Sequence, residues 1–393
     1  MDPRVKTTSI EEKECSVGEN QSPNHRRSRE SPKRLDVDEL EERRHFYHIV
    51  NTFRSYKINA FNRLSKTHKY LDSLPERHQK CLENYRKHLQ NISKAIEKNY
   101  EIIGLIIEDI SNLFENIDYT SEELEDPELK HMKGPTSLDS DKVNAVLKQL
   151  VREWTDEGSN ERKTCFDPIL NQLEEYFKDC ADRSAVHVLV PGAGLGRLPL
   201  EIARRGFTCQ GNEYSLFMLF TSNFILNKCK EKYIFEFHPW AQQYTNNVRS
   251  EDQLSAVRFP DINPGELPPT SDFSMAAGNF IEIYKEPNSW QCITTSYFID
   301  TANNVVDYIE TIWNILTPGG VWINLGPLLY HYADLNSEQS IEPSYEIIKE
   351  VILSFGFEFI KEETNVSSYY TQNPHSMLAY EYRSVFFVCK KPL

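Results

Sequence analysis

From about Leu40 to Phe114 apolar residues recur three and four positions apart. The run "FYHIVNTFRSYKINAFNRLSKTHKYLDSL" carries this pattern until Pro75 interrupts it, and "CLENYRKHLQNISKAIEKNYEIIGLIIEDI" resumes it, so two long amphipathic helices are expected. Their Tyr and Phe residues read as packing residues. Two further helical runs follow, "DKVNAVLKQLVREWTDEG" and "CFDPILNQLEEYFKDC". From Ala185 the pattern changes to short apolar strands alternating with helices: "AVHVLVPG", "FTCQGNE", "DFSMAAG", "CITTSYFID" and "GGVWINLGPL", with helices "SLFMLFTSNFILNKC" and "VVDYIETIWNIL" among them. Such alternation specifies an α/β fold with a mostly parallel sheet covered on both faces. The last segments, "SYEIIKEVILSFG", "FEFIKEET" and "SVFFVCKK", read as a helix and two strands forming an antiparallel hairpin. No internal repeat is present.

The organisation that follows has four parts. Residues 1–38, rich in Ser, Pro, Glu, Arg and Lys, form a disordered tail; 39–120 form an N-terminal helical region; 121–140 form an acidic, turn-rich linker; and 141–393 form the α/β domain with its helical lead-in. A length of 393 residues with 39% hydrophobic and 12% aromatic content can bury a sizeable core. The formal charge of -15 disfavours a nucleic-acid partner bound through bulk phosphate neutralisation. No apolar run approaches the roughly 18–20 residues of a membrane span, and the polar N-terminus lacks a signal-peptide core. A soluble, cytoplasmic protein with no membrane partner is expected. Within the tail, "HRRSRESPKR" is a candidate nuclear address, although short basic runs are more often solvated tail. The eight cysteines stand singly, without a Cys-x-x-Cys pair, so free thiols are expected and no metal site. A homodimer is compatible with the sequence.

The chemistry concentrates at "VLVPGAGLGRL", a strand ending at Pro191 and a glycine turn into a helix. Glycines there supply unusual dihedral angles and let backbone approach a ligand. A dinucleotide site would follow Gly-x-Gly-x-x-Gly, but Arg197 stands at the third position, where a large side chain would obstruct a pyrophosphate. Gly192, Gly194 and Gly196 resemble instead the first motif of S-adenosylmethionine enzymes, whose ligand carries no phosphate. Glu213, at the end of the next strand, would then accept both ribose hydroxyls in its two-oxygen fork. Asn279 and Phe280 end the third strand, where methyltransferases place an acidic or amide group against the adenine amino group and an apolar neighbour against the ring. Asp300 ends the fourth, at the carboxyl edge where open α/β sheets bind ligands. Bland readings stand beside these: an exposed carboxylate for Glu213, and a helix cap for Asp300.

A parallel sheet ending in an antiparallel hairpin is the architecture of class I S-adenosylmethionine-dependent methyltransferases. More narrowly, "VPGAGLGRL", "QGNEYSLFMLFTSNFILN", "AGNFIEIY", "YFIDTANNVVDYIETIW" and "LTPGGVWINLGPLLYHY" resemble the carnosine N-methyltransferases, over roughly Asp141 to the C-terminus. The resemblance implies methyl transfer from S-adenosylmethionine to the histidine imidazole of carnosine, giving anserine. It implies that Gln149, Arg152, Gly192, Glu213, Asn279 and Phe280 contact the methyl donor, and that Asp300, His331 and Tyr382 contact the dipeptide. The family pattern carries Asp at the position of Asn279, whose amide can make the same hydrogen bond. Arg152 suits a methionyl carboxylate through a two-pronged bond. Without the resemblance, Arg152 would read as a solvated helix charge, His331 as a polar residue ending a strand, and Tyr382 as packing.

Asp300 is the candidate catalytic group. Accepting a hydrogen bond from the imidazole nitrogen that does not react would fix the tautomer and stabilise the cation that forms. Alternatives from other classes are an inactive interaction protein that kept the fold, and an imidazole methyltransferase acting on histidine in a protein. A dehydrogenase is disfavoured by Arg197; a nucleic-acid methyltransferase is disfavoured by charge and by the absence of an Asn/Asp-Pro-Pro-Tyr/Phe motif.

Overall fold

The computed structural model describes residues 37–110, 113, 135–335 and 338–393. The expected tail to residue 36, its basic run, and residues 121–134 of the expected linker lie outside the described residues.

The first helical run is divided at Ser55 into α1 (Val37–Arg54) and α2 (Tyr56–Ser73), and a short turn of helix follows Pro75. The second run is α3 (Glu83–Ile106), with Leu89, Ile92, Ile96, Ile103 and Ile106 buried along one stripe. Helix α4 (Ser137–Trp154) starts inside the segment read as linker. Its start is fixed by a reciprocal cap: the Asp139 amide donates to Thr136 Oγ1 and the Thr136 amide to the Asp139 carboxylate. Helices α5 (Ser159–Cys165) and α6 (Asp167–Tyr176) complete the lead-in.

Strands β1 (His187–Pro191) and β2 (Thr208–Glu213) flank α7 (Arg197–Ala203), and α8 (Leu216–Asn223) follows, widening into a π-helical turn at Phe224–Lys228. A two-stranded ribbon, β3 (Phe235–Phe237) and β4 (Val257–Phe259), precedes β5 (Phe273–Ala277) and β6 (Trp290–Ser296). The remaining elements are α9 (Val305–Ile315), β7 (Leu316–Gly326), α10 (Tyr345–Ser354), β8 (Glu358–Ser368) and β9 (Tyr382–Lys390).

The main sheet runs β5-β2-β1-β6-β7-β9-β8. The first five strands pair in parallel, whereas β9 is antiparallel to both β7 and β8. Side chains alternate across it with the two-residue period of a strand. Val188, Val190, Cys292, Val321, Ile323, Leu325, Phe386 and Val388 belong to one core; Leu189, Ile293, Trp322, Phe387 and Cys389 belong to the other, with α9 and α10. Both faces are therefore buried, which accounts for the nearly unbroken apolar runs of these strands.

The helical region shares the first core. Phe46 packs on Phe220 at 5.2 Å between ring centroids, and Phe53 on Phe217 at 5.4 Å. It also grips the β3–β4 insertion through buried polar contacts. Asn99 donates to the Tyr56 hydroxyl at 2.9 Å and to the His238 carbonyl at 2.8 Å, and accepts from the His238 amide at 2.7 Å. Asn99→Ala leaves these partners without their bonds and is expected to cost about 2–4 kcal/mol, measured by urea denaturation.

Candidate active site

The strand order reverses between β1 and β6. At that switch point, beyond the carboxyl ends of the strands, lies a cavity of about 600 Å³. The turn after β1 forms its floor. Gly192, Gly194 and Gly196 have φ of 67°, 57° and 83°, angles that a side chain strains. A Cβ at Gly192 would also lie 2.5 Å from the Phe298 ring.

Two carboxylates hold this turn. Glu213 Oε2 accepts the Gly194 amide at 2.9 Å, while Oε1 accepts the Tyr214 and Ser215 amides at 2.9 and 2.8 Å. Three of its four lone-pair positions are thereby filled, so the expected fork on two ribose hydroxyls reduces to one free position, on Oε2. Glu153, from α4, takes the other side of the turn, accepting the Leu195 and Arg197 amides at 3.1 and 3.2 Å. Burial raises the pKa of both carboxylates, with the amide bonds pulling the other way. These bonds also correct the argument made from Arg197. Its side chain does not obstruct the turn; it is buried and folded back, donating to Asp261 Oδ1 at 2.6 Å and to the Glu153 carbonyl at 2.7 Å. The Leu195 and Arg197 amides, which a pyrophosphate at the helix start would use, are instead spent on Glu153.

Gln149, Arg152, Gly192, Glu213, Asn279, Phe280 and His331 all line the cavity. Arg152 is 4% exposed and lies over the rings of Tyr370 at 4.6 Å, Phe166 at 4.9 Å and Tyr297 at 5.7 Å. Burial works against its charge, yet the neighbouring Cys165, Tyr370, Glu153 and Glu161 leave its pKa above the ordinary value. Its Nε and Nη2 are buried with no hydrogen-bond partner. Asn279 caps the turn Phe280–Ile283, its Oδ1 accepting the Ile281 amide, while Phe280 meets Phe298 and Tyr308 edge-on at 5.6 and 5.5 Å. Phe298 stacks on Tyr308 at 4.6 Å.

Asp300 and Tyr382 stand one layer behind the lining. Asp300, 2% exposed, sits in the turn Ile299–Thr301 past β6, between lining residues Phe298 and Thr301. Its Oδ2 accepts the Leu329 amide at 2.7 Å and its carbonyl accepts the His331 amide at 3.1 Å. It is not the cap of α9, because that role belongs to Asn304. Burial raises the Asp300 pKa, offset in part by the Leu329 amide and His331. His331 itself is exposed, at the mouth. Tyr382 packs edge-on against Tyr297 at 6.0 Å.

The sequence reading missed Glu153, Tyr297, Phe298, Tyr308 and Tyr370, all of which line the cavity. A signal for Glu153 existed: Gln149, Arg152 and Glu153, at helical spacing, make one polar face among the buried Val146, Leu147, Leu150 and Trp154. Among the described residues no cluster suited to a metal ion is present, and no helix is long and apolar enough to cross a membrane. Cys165, Cys209, Cys229, Cys292 and Cys389 are buried free thiols.

The strand order, the terminal hairpin and a cavity at the switch point define a class I S-adenosylmethionine-dependent methyltransferase fold. A family model described as carnosine N-methyltransferase matches residues 130–393. The carnosine N-methyltransferase of Mus musculus is 49% identical over 356 residues, covering 90% of this chain and 88% of the relative. Those of Drosophila melanogaster and Schizosaccharomyces pombe are 41% and 37% identical, covering 91% of this chain in each case and 81% and 98% of the relatives. The chain belongs to the carnosine N-methyltransferase family, and the likeness extends across the N-terminal helices as well as the α/β domain.

Gly192→Ala adds a methyl group against Phe298 in a backbone conformation it strains. It is expected to cost about 1–3 kcal/mol in urea denaturation.

Proposed function

We propose that this protein transfers a methyl group from S-adenosylmethionine to the histidine imidazole of carnosine, β-alanyl-histidine, giving anserine. The observation that carries the reading is that buried Arg152, whose Nε and Nη2 have no hydrogen-bond partner, lines the same cavity as the Glu213-held glycine turn. A buried guanidinium with unmade bonds is costly unless an anionic ligand completes them, and a methionyl carboxylate fits that need. When bound, the donor supplies a sulfonium methyl group, which the imidazole nitrogen takes with its lone pair as the carbon–sulfur bond breaks and its electrons return to sulfur.

The chain's own residues do the rest. Arg152 and Gln149 hold the amino-acid end, the free lone pair of Glu213 takes a ribose hydroxyl, and Asn279 with Phe280 contacts the base. Asp300 accepts a hydrogen bond from the N–H of the non-reacting imidazole nitrogen, so that the reacting nitrogen presents its lone pair, and its negative charge stabilises the imidazolium that forms. For Asp300 to reach substrate, its carboxylate must be uncovered where it lies behind Phe298 and Thr301; its bond to the Leu329 amide meanwhile keeps it oriented. His331 and Tyr382 orient the dipeptide, and the aromatic walls exclude water. No nucleic acid or membrane enters this reading.

Purified protein with labelled S-adenosylmethionine and a panel of carnosine, related dipeptides and histidine-containing proteins, followed by mass spectrometry, tests it. Methylated carnosine is expected; label found only in protein histidines would overturn the dipeptide assignment. Asp300→Ala is expected to lower turnover about 100-fold or more while calorimetry shows donor affinity retained. Glu213→Ala is expected to weaken donor binding about tenfold. The reaction needs a neutral imidazole and an ionised Asp300. Substrate protonation below about pH 6.5 and protonation of Asp300, whose pKa burial raises, both lower kcat/KM as pH falls, which a pH–rate profile measures.

A further inference from the structure

Glu153 makes a set of contacts that neither the glycine turn nor the Arg152 site explains alone. It is 2% exposed, on α4. One oxygen, Oε2, accepts the amides of Leu195 and Arg197 at 3.1 and 3.2 Å. The other, Oε1, accepts Gln149 Nε2 at 2.6 Å and lies 3.4 Å from Arg152 Nη1. A Cβ on Gly194 would stand 2.8 Å from that same oxygen, so the turn and the carboxylate are in direct contact.

All four partners are donors. Two belong to the turn, and two belong to the side chains that face the amino-acid end of the cavity. A carboxylate can satisfy them because it has two acceptor oxygens and no hydrogen. A glutamine of nearly the same volume cannot: whichever way its amide is oriented, an NH₂ group faces two donors, and one pair loses its acceptor. What the site requires here is acceptor count and charge, not size.

The long Arg152 contact is informative in its own right. At 3.4 Å it neutralises the guanidinium without saturating it, since Nε and Nη2 keep no partner. The guanidinium carbon lies 4.6 Å from the Tyr370 ring centroid and 4.9 Å from that of Phe166, while Glu153 approaches it at Nη1. The backbone next door is tied as well: Trp154 Nε1 donates to the Leu195 carbonyl at 3.1 Å, and Arg197 Nη1 to the Glu153 carbonyl at 2.7 Å.

We propose that Glu153 is a positioning residue that joins the Gln149–Arg152 pair to the glycine turn, and so sets the affinity for the amino-acid half of the methyl donor separately from the nucleoside half. The inference rests on the donor assignment made above. The nucleoside half has its own supports in Glu213 and Phe280, neither of which bonds to Glu153.

The test is calorimetric titration of wild type and Glu153→Gln with S-adenosylhomocysteine and with 5′-methylthioadenosine, which keeps the nucleoside but lacks the amino acid. In the variant, S-adenosylhomocysteine is expected to bind about tenfold or more weakly, while 5′-methylthioadenosine changes by less than about threefold. Equal losses for both ligands would reduce Glu153 to a general support of the fold, and unchanged S-adenosylhomocysteine affinity would remove it altogether; either result overturns the proposal. Glu153→Asp keeps both oxygens but withdraws them by one methylene. It is expected to show the same selective loss in smaller measure, and it carries the comparison if the glutamine variant does not fold. Failure of wild type to bind S-adenosylhomocysteine would instead overturn the donor assignment itself.

Discussion

The glycine turn between β1 and α7 is suspended between two carboxylates that accept its main-chain amides. Glu213 reaches it from the neighbouring strand and Glu153 from a helix that precedes the sheet. Neither carboxylate is well solvated, and burial alone would drive each toward its protonated form. Main-chain amides offset that cost, because a left-handed turn aims several N–H groups in one direction and a carboxylate can receive them. The arrangement fixes the relation of α4 to β1 and β2 as well. A shift of either element would strand donors and acceptors away from water at once.

Much of this was legible in the sequence, for a physical reason. The parallel strands are buried on both faces, so their apolar runs stand out, and their carboxyl ends must converge on one crevice; Glu213 and the glycines could be placed there as strand ends and turn, and Asn279 by its strand end together with the methyltransferase pattern. The β3–β4 ribbon escaped notice because its strands have three residues each, too short to display a period. The break between α1 and α2 at Ser55 leaves the helical spacing almost undisturbed, since Asn59 still bonds back to the Ser55 carbonyl. Glu153 was hidden for a different reason: its partners lie 42 and 44 positions away, and a carboxylate next to an arginine on a helix looks like any surface pair. Tyr297 and Tyr370 meet across the fold at 4.9 Å, a distance set by two loops and not by any local pattern.

The far wall of the cavity depends on parts of the chain remote from it. Tyr370 belongs to the connection between β8 and β9, whose Thr371 and Gln372 amides both donate to the Glu161 carboxylate, at 2.7 and 2.8 Å. Further along, the Met377 amide donates to the Asn246 carbonyl at 2.8 Å, and Gln243 reaches Ser376. The insertion that bears Gln243 and Asn246 rests in turn on the N-terminal helices, through Asn99, through His88 paired with Gln253 at 2.9 Å, and through Arg63 lying over Tyr244. Among the described residues, the helical region thus helps shape the pocket without lining it. That is consistent with its place in the likeness to relatives that span 90% of this chain.

The placement of β9 has a consequence for how the molecule is made. It is the last strand in the chain but not the last in the sheet, for it slots between β7 and β8 and pairs with both. Until residues 382–390 have left the ribosome, β7 exposes an open edge flanked by Trp322 and Ile323, and β8 has no neighbour to pair with. A chain in which β7 has formed and residues 382–390 have not yet joined therefore carries an adhesive apolar border, and shielding by a chaperone is most valuable in that interval.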